Sequence, residues 1–559
     1  MYVFRLIGRR FRRSRLWCGL TAAFFVLWFV MVWLTMPFDR SDTLSALGME
    51  LRLNSVFLIF FSLLSYEVFF DLRASRLEEC VRATTGIGSV YAAETAVLLL
   101  LNVGVTVYFS LFPLGLALCS GMPFTAELAG YIGLAALRDV FLMGVLGIWL
   151  GLFAALWLKR MTGYLVIFLF ILLTGPLGEM ILSLPFGGTG RAPSWLYTLF
   201  LLSAQGLNWR MNYHYGYSLL PYRFAQIALW LGVFGLPIFL RFGQIAHRRG
   251  SVYRLLAILS AGMTVLGAVG MVQPGSRFEM SYAKDSSLNA DKNYYRTHAA
   301  AKEEAADFTV ESYDLSLRVT DQLYADAVLT LSDSSAADDR RVFTLYHGFT
   351  VESVTDGTGK ALPFDRKGDL LTVSGFGSAV GTLTLRYAGY HPRYYSNRQG
   401  ICLPGYIAYY PLPGSRCLFD GGTVPVLPDK PAMFTVRVDS PKPVFCHLRR
   451  QEDGSFSGVS DGVTLLSGFV SETEIGGVTV IYPYLDSDQC RPEALKSETL
   501  DFLRARRAAG DTRPLNTIMI MPYINNTAAE RTVRYADYIS GIQIRTLADT
   551  LYADGEGER

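Results

Sequence analysis

The stretch "TLYHGFTVESVTDGTGKALPF", residues Thr344–Phe364, alternates apolar and polar side chains on both sides of a turn sequence, "DGTGK". Alternation with a period of two predicts a β-strand with one buried face, and Asp and Gly are typical of the turn between two such strands. The stretch therefore predicts a structural hairpin in a β-domain. Its Gly-Lys pair does not form a P-loop, because the first glycine is wrongly spaced and no Ser or Thr follows Lys360.

The same alternation continues on both sides of this hairpin, from Phe308 to Cys490. Among the other strand-like segments are "FTVESYDLSLRV" and "GTLTLRYAGY", and "AMFTVRVDS", "GVTLLSGFV" and "GVTVIYPYL" form a second set. We interpret residues 308–490 as an antiparallel, extracytoplasmic β-sandwich. The polar residues 274–307 are predicted to be a linker. Residues 491–559 are predicted to be a short α/β tail, with a strand in "LNTIMIMPYI" and a helix in "AAERTVRYADYISGIQIRTLADTLY".

Residues 1–273 differ in kind, because long apolar runs alternate there with short polar links. A transmembrane helix needs about 20 mainly apolar residues, and about six to seven runs are long enough. The predicted fold class is therefore an α-helical polytopic membrane domain followed by an all-β sandwich and the α/β tail. The predicted spans are Trp17–Met36, Ser55–Phe70, Ala92–Leu118, Val140–Leu158, Gly163–Leu184, Phe224–Leu240 and Leu255–Gln273.

Lys and Arg are concentrated in alternate links between these spans, beginning with the N-terminal "RLIGRRFRRSR". Because positively charged loops stay in the cytoplasm, the N-terminus is predicted to be cytoplasmic and the residues after Pro274 extracytoplasmic. The apolar run Ser194–Trp209 is short for a crossing, and we interpret it as an interfacial or re-entrant helix. The net charge is only +3, so no basic field points to a nucleic-acid partner.

The link after the second predicted span reads "FFDLRASRLEECVRATT", residues Phe69–Thr85. This order of a basic residue, small residues, Leu-Glu, an apolar residue and two threonines resembles the coupling helix of permeases of type-2 ABC transporters. The resemblance covers about residues 1–245. It implies a homo- or heterodimer of permeases in membrane lipid, with ATP bound by a separate ATPase subunit. The alternative is a basic, solvated loop at the membrane edge. The residues that would face the ATPase are Arg73, Arg76, Glu78, Glu79 and Arg82.

The β-rich half resembles the N-terminal β-domain of aminopeptidase-N-like zinc peptidases. The resemblance rests on an ordered set of segments. These are the strand with Tyr313, Leu315 and Leu317, the predicted hairpin Thr344–Phe364, "GDLLTV", "GTLTLRYAGY" and the Pro-containing "GYIAYYPLPG". It implies a peptidase that holds zinc through H-E-x-x-H. None of the six His in this sequence stands four residues from another, and none precedes Glu. We therefore expect no zinc site, no cofactor in this chain and no enzyme activity.

Other candidate residues are aromatic, sulfur-containing or charged. Five tyrosines of the β-rich half are interpreted either as a ligand-binding surface or, equally, as core. Four cysteines there permit disulfides with three connectivities. Five charged residues lie in or near apolar runs, and helix-end pairing or snorkelling is the expected explanation. These sets are Tyr394, Tyr395, Tyr406, Tyr409 and Tyr410; Cys402, Cys417, Cys446 and Cys490; and Glu67, Glu94, Arg138, Asp139 and Glu179.

Three functions follow from these patterns. The first is a bacterial ABC-type permease, an exporter, whose extracytoplasmic β-domain binds or gates a substrate. The second is a membrane-anchored zinc-aminopeptidase relative that is truncated or catalytically inactive. The third is a membrane sensor or scaffold that does not transport.

Overall fold

The computed structural model of the protein describes most of the β-rich half and the main helices of the membrane half. The described residues are 18–19, 21–26, 30, 54–74, 87–119, 125–175, 177–187, 194–202, 212–216, 218–245, 250–272, 290–332, 340–375, 381–486, 490–524 and 528–552.

The chain divides into two compact units. The helical unit contains Met1–Met211 and Leu219–Gln273, and the β-rich unit contains Asn212–Ser218 and Pro274–Arg559. The short segment Asn212–Ser218 thus belongs to the β-rich unit, although it lies in sequence between helices of the helical unit.

Long apolar helices dominate the helical unit. Five of them are long and apolar enough to cross a membrane: Asn54–Ala74, Val90–Phe112, Ala126–Trp157, Pro221–Gln244 and Gly250–Val272. Among the described residues from Asn54 onward, the α-helices of this unit are α1 (Asn54–Ala74), α2 (Ile87–Cys119), α3 (Ala126–Ala136), α4 (Met143–Trp157), α5 (Arg160–Thr174), α6 (Gly178–Ser183), α7 (Ser194–Phe200), α8 (Pro221–Ile245) and α9 (Gly250–Val272).

Glycines bring these helices into backbone contact. A Cβ at Gly151 of α4 would lie 2.4 Å from the carbonyl oxygen of Ser62 in α1, and one at Gly267 of α9 would lie 2.6 Å from the backbone nitrogen of Leu229 in α8. Ser65 also donates a hydrogen bond across the first pair, to the carbonyl oxygen of Ile148 at 2.8 Å. Close approach through small residues is typical of helices that pack within membranes.

Two predicted spans differ from the helices of the structure, and a third lies mostly outside the described residues. The span predicted to begin at Val140 starts earlier, because α3, a π-helical turn (Leu137–Leu142) and α4 form one continuous apolar helix. The predicted span Gly163–Leu184 is interrupted, because α5 ends at Thr174 before Gly175 and Pro176. Most of Trp17–Met36 lies outside the described residues.

The β-rich unit contains a seven-stranded sheet, two four-stranded sheets and a five-stranded sheet. The inward-facing side chains of the first three sheets share one hydrophobic core. The seven-stranded sheet has the order β13 (Arg449–Arg450), β14 (Phe456–Ser460), β11 (Ala432–Asp439), β1 (Val310–Val319), β2 (Leu323–Leu331), β7 (Thr382–Gly389) and β4 (Phe349–Asp356). The four-stranded sheets are β10 (Leu412–Pro413), β3 (Arg340–Thr344), β6 (Leu370–Ser374) and β5 (Phe364–Lys367), and β12 (Val444–Cys446), β15 (Leu465–Ser467), β9 (Gly400–Leu403) and β8 (Ser396–Asn397).

The sandwich is not wholly antiparallel, because β1 and β11 run parallel, with Leu315 opposite Val436. The stretch Thr344–Phe364 also differs from a simple hairpin. Its turn is present, since the backbone nitrogens of Thr358 and Lys360 donate to the Asp356 carboxylate at 2.9 and 3.0 Å. However, β4 lies in the seven-stranded sheet and β5 in a four-stranded one. The stretch therefore connects two layers of the sandwich.

The C-terminal part forms an α/β layer that begins earlier than the predicted tail. The five-stranded sheet has the order β16 (Val470–Ile475), β17 (Val478–Pro483), β18 (Thr517–Ile520), β20 (Tyr538–Gly541) and β19 (Thr532–Arg534). Strands β17, β18 and β20 are parallel. The strand predicted in "LNTIMIMPYI" is present, but "GVTVIYPYL" joins this layer rather than the sandwich.

The predicted long C-terminal helix is replaced mainly by β19 and β20, with the short helices α12 (Ala528–Arg531) and α13 (Leu547–Tyr552) at its ends. One face of the five-stranded sheet adds Ile481 and Met519 to the sandwich core, and the other packs Val480 and Ile518 against α11 (Pro492–Ala508). A sheet buried on both faces carries apolar residues without alternation. The single helix predicted for residues 528–552 was wrong, because β19 and β20 occupy its central part.

The predicted linker is part of the β-rich unit from Ala290 onward. It begins with α10 (Ala290–Tyr294), and Asp291 is buried and accepts a hydrogen bond from Tyr346. Glu304 pairs with Ser415 in an isolated bridge.

Candidate functional site

Of the five residues predicted to face an ATPase, Arg73 is described, and Arg76, Glu78, Glu79 and Arg82 lie outside the described residues. Arg73 donates to the carbonyl oxygens of Ala155 at 2.9 Å and Leu156 at 3.4 Å, at the C-terminal end of α4. A cation at this end of a helix satisfies free carbonyls and complements the helix dipole. In the structure Arg73 therefore joins α1 to α4.

The five tyrosines predicted as a ligand surface are instead buried. Tyr394 and Tyr406 are 1% exposed, and Tyr395, Tyr409 and Tyr410 are 0% exposed. All five lie in the main core of the β-rich unit. Since a buried ring cannot line an open surface, the alternative interpretation as core describes them correctly.

Two of these tyrosines, Tyr394 and Tyr406, lie beside a buried ion pair that joins the sandwich to the α/β layer. Arg393 Nη2 lies 3.0 Å from Glu530 Oε2, and their side chains are 8% and 0% exposed. The Tyr394 hydroxyl donates to Glu530 and lies 2.9 Å from the hydroxyl of Tyr406. Arg393 also donates to Thr423. A paired buried carboxylate with several hydrogen bonds fixes the geometry of its surroundings.

A second buried polar cluster lies nearby, around Asp291 and His391. Burial raises the pKa of Asp291, and burial, together with Arg393 and His347, holds the pKa of His391 well below its usual range. The backbone nitrogen of Arg393 donates to His391 Nδ1 at 3.2 Å, so the ring proton sits on Nε2, 3.9 Å from Asp291. A cavity of about 10 Å³ opens between Asp291, Tyr346 and His391. That volume is about enough for one water molecule.

Buried histidines make the stability of the β-rich unit depend on pH. Burial lowers the pKa of His214 to about 4 and that of His447 to about 3, from 6.5. Because the unfolded chain takes up these protons first, the free energy of unfolding should fall as pH drops below about 6.5, by roughly 1.4 kcal/mol per pH unit and histidine. Amide hydrogen exchange of β2 and β7 at pH 7, 6 and 5 measures this fall in the free energy of unfolding.

The variants His447→Gln and His298→Gln separate the effect of the buried histidines from a loss of stability in acid that other groups cause. His447→Gln removes a buried ring and should make the free energy of unfolding depend less steeply on pH. His298→Gln changes an exposed ring and should leave this pH dependence unchanged. Burial raises the pKa values of Asp461 and Asp537. These two carboxyl groups therefore increase the free energy of unfolding as the pH falls through their titration, opposite to the effect of the histidines. A slope that stays the same in His447→Gln would contradict the assignment.

The donor set does not fit a peptidase zinc site. In the described parts of the chain, His, Cys, Asp and Glu do not gather in groups of three that could hold a metal. His347 lies 3.0 Å from Asp369, and His391 is near Asp291, so each of these rings faces a single carboxylate. The four cysteines of the β-rich unit, Cys402, Cys417, Cys446 and Cys490, are free thiols.

The helical unit contains a buried ion pair that snorkelling does not explain. Arg138 and Asp139 lie in the π-helical turn in the middle part of the helix Ala126–Trp157, and they are 2% and 1% exposed. Asn54 of α1 donates to Asp139 at 3.2 Å, and Asn102 of α2 donates to the carbonyl oxygen of Phe141 at 2.8 Å. A π-turn frees a backbone carbonyl group. The expectation that these charges sit near a helix end was wrong.

The described residues of the segment Asn212–Ser218, here called the strap, are bound inside the β-rich unit. It is held at both its backbone and its side chains. His214 Nε2 lies 2.7 Å from the carbonyl oxygen of Ile520, at the end of β18, and the backbone nitrogen of Phe469 donates to the His214 carbonyl at 2.8 Å. Gln399 donates to the Tyr215 carbonyl at 2.8 Å. The sequence pattern did not predict this, because the strap lies within an aromatic loop of the helical half and carries no strand period.

An open groove of about 740 Å³ lies on the outer face of the seven-stranded sheet. Arg386 pairs with Asp326 at 2.8 Å there, and Arg437 with Asp314 at 2.7 Å. These side chains are about half exposed or more. Exposed pairs of this kind contribute little to stability, and the groove presents both signs of charge.

No protein-family model and no curated protein matches the sequence. Among solved structures, the chain is similar to an M1 zinc metallopeptidase from Deinococcus radiodurans, with 18% identity over 44% of this chain and 61% of that one and a TM-score of 0.30. It is also similar to yeast LTA4 hydrolase in complex with bestatin, with 15% identity, 48% and 45% coverage and a TM-score of 0.32. The chain spans less than two thirds of each of these proteins.

Proposed function

We propose that this chain is a membrane-anchored relative of the M1 aminopeptidases that does not itself hydrolyse peptides. In this proposal the helical unit holds the protein in the membrane with its N-terminus in the cytoplasm, and the β-rich unit lies outside. The order of the strand motifs from Phe308 to Leu485 supports the relationship, and five helices of sufficient length and hydropathy support the membrane location.

One observation carries the proposal: the α/β layer is built into the sandwich. Glu530, which belongs to α12, reaches Arg393 and Tyr394 of the sandwich, and both partners are buried. The sandwich that resembles the peptidase β-domain is therefore joined through buried contacts to the α/β layer that follows it in the sequence. The zinc ligands that a peptidase would need are not supplied by the His residues of this sequence.

Activity and metal content of the full chain test this proposal. The chain, purified in lipid nanodiscs, should release no 4-nitroaniline from aminoacyl-4-nitroanilides with or without added Zn²⁺, and should hold far less than one zinc ion per chain. A homogeneous preparation that hydrolyses these substrates in a chelator-sensitive way would show that the proposal is wrong. Attack by an impermeant protease on the β-rich unit in right-side-out vesicles tests its location, and complete protection would contradict it.

A transporter permease is a second candidate, favoured by the ion pair of Arg138 and Asp139. A simple anchor does not need buried charges in an apolar helix, and such residues are usually functional because charges inside the bilayer are energetically unfavourable. They lie on a π-turn, an irregularity common at functional sites. The ATPase would then be a separate subunit that contacts Arg73, Arg76, Glu78, Glu79 and Arg82.

Copurification tests this second candidate. An ATPase subunit should copurify with the wild-type chain, and the charge reversals Glu78→Lys and Arg82→Glu should abolish this. Asp139→Asn should leave copurification intact but lower ATP turnover of the complex. If no ATPase copurifies, or if the reversals have no effect, the permease interpretation is wrong.

A further inference from the structure

The strap has the features of a bound ligand rather than of an ordinary loop. Asn212, His214 and Tyr215 are 1%, 2% and 1% exposed. The strap is also internally folded, since the Asn212 side chain accepts from the backbone nitrogens of His214 and Tyr215, both at 3.1 Å. A turn that is already formed loses little conformational freedom on binding.

Three separate parts of the β-rich unit form the cleft around the strap. The first is the strand pair β8 and β9, where Asn397 donates to the Tyr215 hydroxyl at 3.1 Å. The second is the turn at Gly468 and Phe469, and the third is the carboxyl end of β18 at Ile520.

Ligands of open α/β sheets commonly bind at the carboxyl ends of parallel strands. Strand β18 is a parallel strand of this kind, and His214 lies at its carboxyl end. The strap thus occupies a position suited to a ligand.

The fit of the strap is incomplete. Asn212 Nδ2 and His214 Nδ1 are buried and have no hydrogen-bond partner among the described residues. A buried polar group without a partner destabilises the state that buries it. Tyr215 lies in the same apolar cluster as the inward residues of the core strands, so the unfavourable part of the strap's burial lies at these two polar atoms.

We propose that the strap is an intramolecular ligand that occupies a peptide-binding cleft of the β-rich unit, and that its release opens the cleft to other peptides. The ligand class is a short peptide turn with a neutral imidazole followed by a tyrosine. The imidazole donates to the carbonyl oxygen of Ile520, and the tyrosine packs on Tyr395, whose ring centroid is 4.5 Å away. Only Leu219 and Leu220 separate the strap from α8, so its release is directly linked in sequence to that helix. This inference does not depend on the proposed absence of hydrolysis.

A labelled peptide of residues 212–220, "NYHYGYSLL", tests the proposal with the full chain in nanodiscs. The variant His214→Ala/Tyr215→Ala removes the imidazole and the phenol that anchor the strap, so the strap should leave the cleft and the variant should bind this peptide. A tethered segment competes at an effective concentration in the millimolar range, so the wild-type chain should bind a peptide of micromolar affinity about a thousandfold more weakly. A matched peptide with alanine at the positions of His214 and Tyr215 should bind neither protein.

Equal binding to both chains, or no binding to a variant whose sandwich amides stay protected, would overturn the proposal. Hydrogen exchange of the wild-type chain gives an independent measurement if the variant does not fold. The amides of the strap and of Phe469 should exchange together and faster than those of β9 and β15, because local release does not require unfolding of the sandwich. Equal protection of strap and core strands would show that the strap is a permanent part of the core.

Discussion

Replacing Glu530 by alanine should lower the free energy of unfolding of the β-rich unit by about 3–5 kcal/mol, because it leaves a buried guanidinium without its carboxylate. The side chains of Glu530 and Arg393 are 0% and 8% exposed, and Glu530 Oε2 lies 3.0 Å from Arg393 Nη2. The hydroxyl of Tyr394 loses its acceptor as well. Hydrogen exchange of strands on both sides of the contact, β18 and β9, reports the loss for the α/β layer and the sandwich separately.

Two matched variants make this result specific. Glu530→Gln keeps an amide oxygen that accepts one hydrogen bond but removes the charge, so its effect should be smaller than that of alanine. Asp314→Ala removes the carboxylate of an exposed pair with Arg437, whose side chains are 45% and 51% exposed. The loss there should stay below about 1 kcal/mol. A similar, small effect for Glu530→Ala would mean that Arg393 reaches water when its partner is removed.

The period of the side chains predicted the strands of the sandwich but not their distribution among sheets. The strand around Leu315 and Leu317 alternates as expected, and these two residues are 0% and 2% exposed. Its parallel pairing with β11 depends on a partner more than a hundred residues away, and local alternation does not specify the direction of such a partner. The turn at Asp356 was predictable from its Gly-rich sequence, whereas the passage of the chain into the second sheet was not.

Burial of the tyrosines and of the charged pairs was the feature that the sequence could not resolve. A run such as "GYIAYYPLPG" suits both an aromatic binding surface and a packed core, because tyrosine has an apolar ring and a polar end. The structure distinguishes these through the partners, such as the contact of Tyr394 with Glu530, which is 136 residues away. Arg138 and Asp139 were misplaced because the helix that contains them begins at Ala126, before the apolar run seen in the sequence.

The variant Gly468→Ala should release the strap and destabilise the β-rich unit. Gly468 has a φ of +131°, and a Cβ there would lie 2.1 Å from the carbonyl oxygen of His214. An L-residue in such a backbone conformation is strained by about 1–3 kcal/mol, and the overlap adds to this because the carbonyl oxygen has to move. That oxygen accepts the hydrogen bond of the Phe469 amide, so this amide should lose its protection against exchange.

Gly477→Ala is the matched control, because Gly477 also has a positive φ, +82°, but has no atom within 4 Å of the position of an added Cβ. It lies in the turn between β16 and β17 and tests backbone strain without steric overlap. Its effect should be limited to about 1–2 kcal/mol, with the strap still protected. If Gly468→Ala destabilises the unit no more than Gly477→Ala and the Phe469 amide stays protected, the strap adapts to the added methyl group. The close contact between Gly468 and the His214 carbonyl would then not be what holds the strap in its cleft.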